Sequence, residues 1–219
     1  MLITNGCSFT AAEHLYLLNK GAERIPPAEG MDHETGMSWS QYLGKRMEMP
    51  VMNLAMGCGS NARILRTTID YLEQRGKATQ FVCIQWTFPM RFEFYEPIEE
   101  HWAAINDNTY VVRGGKRTMR EAEKYAHWKR HFYTPEQSSY ELLGHQLALK
   151  SYLNDRDIPF LYWYPNYWYK HAKEEWHPLS VEMTNFIELR DSARDLDGIH
   201  PNIDEHERIA SVLYETIRG

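Results

Sequence analysis

The chain has 219 residues, of which 43% are hydrophobic and 25% charged, and its formal net charge is −6. This is the composition of a folded domain, long enough for one well-buried α/β core and short for two, and it excludes a disordered chain. No block of like charge is long enough to hold nucleic-acid backbone, and no apolar run approaches a membrane span. The three cysteines, Cys7, Cys58 and Cys83, fit no zinc-ligand spacing and read as reduced thiols. Met1 leads straight into an apolar run with no basic leader, so the expected location is cytoplasmic, with association to a virion left open.

In chain order, Leu2-Ile3-Thr4 predicts a first strand that stops at the turn signal Asn5-Gly6, with Ser8 just beyond. A short helix over about 11–19 and a surface loop over 21–36 follow. Ser38 opens a helix that runs to about Met47, with Trp39, Tyr42, Leu43 and Met47 near one face. Val51 to Leu54 is a second strand, followed by a glycine-containing loop, Ala55 to Asn61. The next helix carries the stripe Ile64, Leu65, Thr68, Ile69 and Leu72 and stops at Gly76.

Phe81-Val82-Cys83-Ile84 is a continuous apolar run, as in a central parallel strand covered on both faces. Residues 92–118 read as irregular, with Gly114-Gly115 as a turn, and 119–131 as a charged helix. Pro135 opens a long helix to Asn154. Ile158 to Tyr164 is another strand, and an aromatic loop spans about 165–178. Residues 179–194 give no clear signal. Pro201 precedes a last amphipathic helix with Ile203, Ile209, Leu213 and Ile217 in register. Strands alternating with helices imply a single α/β domain over 1–219, with an insertion of loop and helix at about 90–135. Its central sheet is parallel, with helices on both faces and a site at the carboxyl ends of the strands.

Three residues have the chemistry of a serine hydrolase. Ser8 supplies a hydroxyl at a strand end, and Asp197-Gly198-Ile199-His200-Pro201 supplies a carboxylate and an imidazole. The histidine takes the proton of the serine and later gives it to the leaving group, and the aspartate fixes the imidazole tautomer. The spacing Asp-x-x-His lets one turn carry both groups to one strand end. A serine in this place is also a common helix cap, and Asp-x-x-His pairs are frequent in solvated turns.

The segments Asn5-Gly6-Cys7-Ser8-Phe9-Thr10, Asn53 to Asn61, and Asp197 to Pro201 together resemble three sequence blocks of the SGNH/GDSL hydrolases, in that family's order. The resemblance implies a flavodoxin-like three-layer α/β/α fold and a triad of Ser8, His200 and Asp197. It also implies an oxyanion hole that uses an amide of the second block, at Cys58 or Gly59. The family's third block usually offers an Asn side chain. Here Gln85-Trp86-Thr87 follows the matching strand, so Gln85, Thr87 or backbone amides alone would complete the hole.

Asn61 either lines the site or caps the following helix, and Arg91 either meets an anionic substrate group or is a solvated loop arginine. His171, Glu174, Glu175 and His177 do not have metal-ligand spacing, and the glycine loop lacks a phosphate-loop pattern, so neither metal nor organic cofactor is expected. The run Tyr162, Trp163, Tyr164, Tyr167, Trp168, Tyr169 is part buried strand, with the remainder free to form a stacking wall for a sugar. The expected function is a serine-dependent O-deacetylase or small-acyl esterase, with small acyl esters or acylated carbohydrates as substrates. The alternatives on the same fold are a non-catalytic carbohydrate- or assembly-binding protein and an acyltransferase.

Overall fold

The computed structural model describes residues 1–12, 38–75, 78–96, 101–105, 111–113, 116–118, 134–165, 186–189 and 201–219. Five strands form a wholly parallel sheet: β1 (Leu2–Asn5), β2 (Val51–Asn53), β3 (Phe81–Gln85), β8 (Phe160–Pro165) and β9 (Phe186–Leu189), in the order β2-β1-β3-β8-β9. Set apart from its insertion, this is the doubly wound flavodoxin-like order, with β3 central and β1 between β2 and β3.

The period-two alternation of the strands divides the core into two layers. Leu2, Phe81, Cys83, Leu161 and Trp163 meet α2 (Trp39–Met47) and α5 (Ile203–Arg218) on one face. Ile3, Val82, Ile84, Phe160 and Tyr162 meet α3 (Asn61–Arg75) and α4 (Pro135–Asn154) on the other. Paired rings close both layers: Trp39 meets Trp163 edge-on at 5.2 Å, and Trp86 meets Tyr162 at 5.3 Å. Tyr162 and Trp163 therefore belong to the core and offer no stacking face. The rest of the aromatic run has no described side chain.

Each long helix starts at a side-chain cap. Ser38 Oγ accepts from the Gln41 amide while Gln41 Oε1 accepts from the Ser38 amide, a reciprocal capping box. Thr134, ahead of Pro135, caps α4, and Asn202 caps α5. We expect Ser38→Ala to lower stability by about 1 kcal/mol, read as a lower urea midpoint with an unchanged slope.

Two expectations change. Four strands lie within the 92–118 stretch expected to be irregular: β4 (Phe92–Glu96), β5 (His101–Ile105), β6 (Val111–Arg113) and β7 (Lys116–Thr118) form a four-stranded antiparallel sheet. The first part of the insertion thus contains a sheet where irregular chain was expected. It is tied to α3 by Glu93, whose carboxylate receives Arg66 Nε and Nη2 at 3.1 and 3.2 Å, and by Arg66 lying 4.3 Å over the Trp102 ring. In addition, α1 spans only Ser8–Ala11 and ends at Ala12 in the left-handed region. The remainder of the predicted 11–19 helix, the charged 119–131 helix and the 165–178 loop lie outside the described residues.

Candidate active site

β1 ends at Asn5, and its side chain anchors the turn that follows. Asn5 Oδ1 accepts from the Gly6 amide at 2.8 Å, and Nδ2 lies within hydrogen-bond reach of Thr67 Oγ1, Thr68 Oγ1 and Ile64 O on α3. Cys7 occupies the cap position of α1 without a side-chain cap bond, and Ser8 is the first helical residue. The helix-cap reading of Ser8 is therefore incorrect. Ser8 is half-buried just past the carboxyl end of β1.

The second loop packs against this turn. The Met56 amide donates to Gly6 O, and a side chain at Gly59 would lie 3.3 Å from Gly6 O and 3.0 Å from Met56 O. A side chain here would crowd both carbonyls and push the two loops apart by a few tenths of an ångström. Cys58 has φ 61°, the left-handed region that favours glycine. The Gly59 amide donates to Met56 O at 3.0 Å, so it closes its own turn. Asn53 secures the loop from below, with Nδ2 donating to Thr10 O at 2.9 Å and Oδ1 accepting from the Ala55 amide. Arg63 Nη1 holds Leu54 O at 2.9 Å.

The third loop follows β3. Gln85 is fully buried, and its Oε1 accepts from Thr10 Oγ1 while Nε2 donates toward Cys7 Sγ at 3.6 Å. Gln85 therefore braces the two sides of the Ser8 turn, and its amide is occupied there. Asn61 is neither the cap of α3 nor a free lining group. Ser60 is the cap, accepting from the Arg63 amide at 3.0 Å. Asn61 clamps the third loop instead: Oδ1 accepts from the Thr87 amide at 2.9 Å, and Nδ2 reaches Thr87 O and Phe88 O.

Thr87 is 4% exposed and its Oγ1 accepts from Arg91 Nη1 at 3.0 Å. No described acceptor takes the Thr87 hydroxyl proton, which leaves that proton able to donate elsewhere. Arg91 is thus held within the third loop, and its guanidinium also lies 5.7 Å from the Phe88 ring. Asp197 and His200 lie outside the described residues. Pro201, next to His200, is buried at the entry to α5.

The three cysteines are buried thiols outside any disulfide. Burial drives the Cys83 thiol well above its usual pKa, so it stays protonated and is no nucleophile. Among the described residues no group of three His, Cys, Asp or Glu side chains is placed to hold a metal, and no helix is long and apolar enough to cross a membrane.

Gly6 is the tightest position in the site. An added Cβ would overlap Thr10 Oγ1 and come within 2.9 Å of Thr10 Cβ and Gln85 Oε1. Gly6→Ala is expected to cost about 1–3 kcal/mol by overpacking, measured by urea unfolding.

Residues 27–172 match a family described as "Family of unknown function (DUF6071)". The chain belongs to DUF6071. No curated protein matches it. Among solved structures, the psychrotrophic esterase EstA from Pseudoalteromonas sp. is similar at TM-score 0.51 and 12% identity, over 99% of this DUF6071 chain and 96% of that one. The acetyl xylan esterase Est2A from the rumen bacterium Butyrivibrio proteoclasticus has TM-score 0.51 and 10% identity, over 99% and 63%. A carbohydrate esterase whose active site displays divergent catalytic and non-catalytic binding functions has TM-score 0.53 and 12% identity, over 99% and 64%. The chain thus spans just under two thirds of the length of these last two. At such identities the likeness is one of fold, and that fold is the α/β architecture of the SGNH esterases.

Proposed function

We propose that this DUF6071 protein is a serine-dependent carboxylic ester hydrolase acting on small acyl esters, with O-acetylated carbohydrates as its substrate class. The observation that carries the reading is the convergence of three loops from adjacent parallel strands on the Ser8 turn. Gly59 lies against the Gly6 carbonyl, and Gln85 braces Cys7 and Thr10. This is the carboxyl edge of the sheet, where doubly wound folds build their sites.

In this reading Ser8 Oγ attacks the acyl carbon as His200 takes its proton. The tetrahedral intermediate collapses as His200 passes that proton to the departing alcohol oxygen. Water, deprotonated by His200, then attacks the acyl-serine, and Ser8 leaves with the proton returned. Asp197 orients His200 and stabilises its charged form. The oxyanion is met by the Ser8 amide, by the second loop at Cys58, and by the Thr87 hydroxyl in place of the family's Asn. The donation from Arg91 into Thr87 Oγ1 favours that last role, because it turns the hydroxyl proton away from the guanidinium.

The test is release of free acid from 4-nitrophenyl acetate and from an acetylated monosaccharide, compared between wild type and His200→Ala. The expected result is turnover by the wild type and a loss of about 10⁴-fold or more in the variant. Turnover that His200→Ala leaves unchanged would sink the triad.

A second reading, a carbohydrate-binding protein without turnover, is favoured by one observation. Gln85, a candidate for the missing oxyanion donor, is committed to bracing the turn. Sugar binding by a folded wild type that releases no acid would support it.

A further inference from the structure

A cavity of about 220 Å³ lies between the first turn of α3, the 89–91 loop, the start of β4 and one face of α4. Ser138, Glu141, Leu142 and His145 line it from α4. Their spacing of three, four and seven residues places them on one helical stripe. Pro89, Phe92 and Leu142 supply apolar wall, and Asn61 joins the cavity to the third-loop clamp.

The charges on this wall cancel. Arg91 and Glu141 both line it, and Glu93, with its side chain 3% exposed, is already held by Nε and Nη2 of Arg66. An unbalanced lining would select an anion or a cation, whereas this one favours a neutral guest with both donors and acceptors. His145 Nδ1 is buried and pairs with no described group. A buried polar atom left in that state is costly, and a turn of the ring about χ2 toward the cavity would let a guest hydroxyl pair it. Burial lowers the pKa of His145, against the opposing pull of Glu141, so the ring enters neutral solution uncharged. The volume is below the roughly 300 Å³ at which pockets for drug-sized ligands begin, which suits a single ring.

We infer that this cavity is a binding site for one neutral, hydroxyl-rich ring, a monosaccharide unit, with His145 and Arg91 bonding its hydroxyls and Phe92 and Leu142 covering its C–H face. The inference stands on the cavity alone, whether or not Ser8 is a nucleophile.

The test uses the full chain carrying Ser8→Ala, so that no turnover intervenes. Methyl glucoside and methyl xyloside are titrated while the His145 ring signals are followed by NMR, with glucuronate, glucosamine and cyclohexanol as the charged and apolar comparisons. The neutral glycosides are expected to bind and to shift His145. His145→Leu, and separately Leu142→Trp, which fills the cavity, should each weaken binding about tenfold, with melting curves reporting that each is folded. Wild-type affinity in both variants would overturn the inference. Tighter binding of a charged sugar, or no glycoside shifting His145, would do the same. The ester-hydrolase reading is tested separately, by acid release from protein with Ser8 intact.

Discussion

Ser8→Ala is expected to reduce the kcat for acyl-ester hydrolysis by about 10⁵-fold or more, with the fold unchanged. The size follows from the role: without the hydroxyl no acyl-serine forms, and what remains is binding and whatever the oxyanion donors offer to a water attack. The fold should survive because Ser8 closes no helix cap; Cys7 holds the cap position, and Cys7 O receives the Thr10 and Ala11 amides. Parallel kcat and urea measurements separate the two effects. A folded Ser8→Ala protein that retains wild-type turnover would remove Ser8 from the chemistry.

Thr87→Val is the next largest. The substitution keeps the branched shape and removes one hydroxyl in a side chain that is 4% exposed. Removing one oxyanion donor typically lowers kcat by about 10²–10³-fold. The loss should fall on kcat more than on KM, because the charge on that oxygen develops in the transition state. Thr87→Ser, which keeps the donor, should restore most of the rate. Backbone clamping by Asn61 is independent of the Thr87 side chain, so the third loop should hold its course in both variants. Equal kcat in Thr87→Val and wild type would leave the oxyanion to backbone amides alone.

The sequence made the parallel sheet legible wherever one pattern dominated. Phe81 to Ile84 is apolar throughout because both faces of β3 are covered, and the stripe on α3 repeats at helical spacing because one side meets Ile3 and Val82. The antiparallel insertion was hidden for a physical reason. Val111–Arg113 and Lys116–Thr118 are three residues each, too short and too charged to establish an alternation, and their pairing is set by partners across a turn.

The candidate site was legible where residue chemistry is local and hidden where it depends on distant partners. Ser8 and the second loop stood out from turn signals. The brace made by Gln85 joins it to Thr10 and Cys7, more than seventy residues away, and no local pattern encodes such a bond. Ser60 and Asn61 are adjacent and both favoured as caps, so only the backbone geometry tells that Ser60 caps α3 while Asn61 turns to the third loop. The cavity on α4 did leave a trace, in Ser138, Glu141 and His145 recurring on one face of an otherwise Leu-rich helix.

The most direct measurement is labelling with a fluorophosphonate, followed by peptide mass spectrometry, on wild type and His200→Ala. Such a probe reacts with a serine whose proton a neighbouring base can remove. We expect a label on Ser8 in the wild type and none in His200→Ala. A folded wild-type protein that takes up no label at Ser8 would contradict the triad reading.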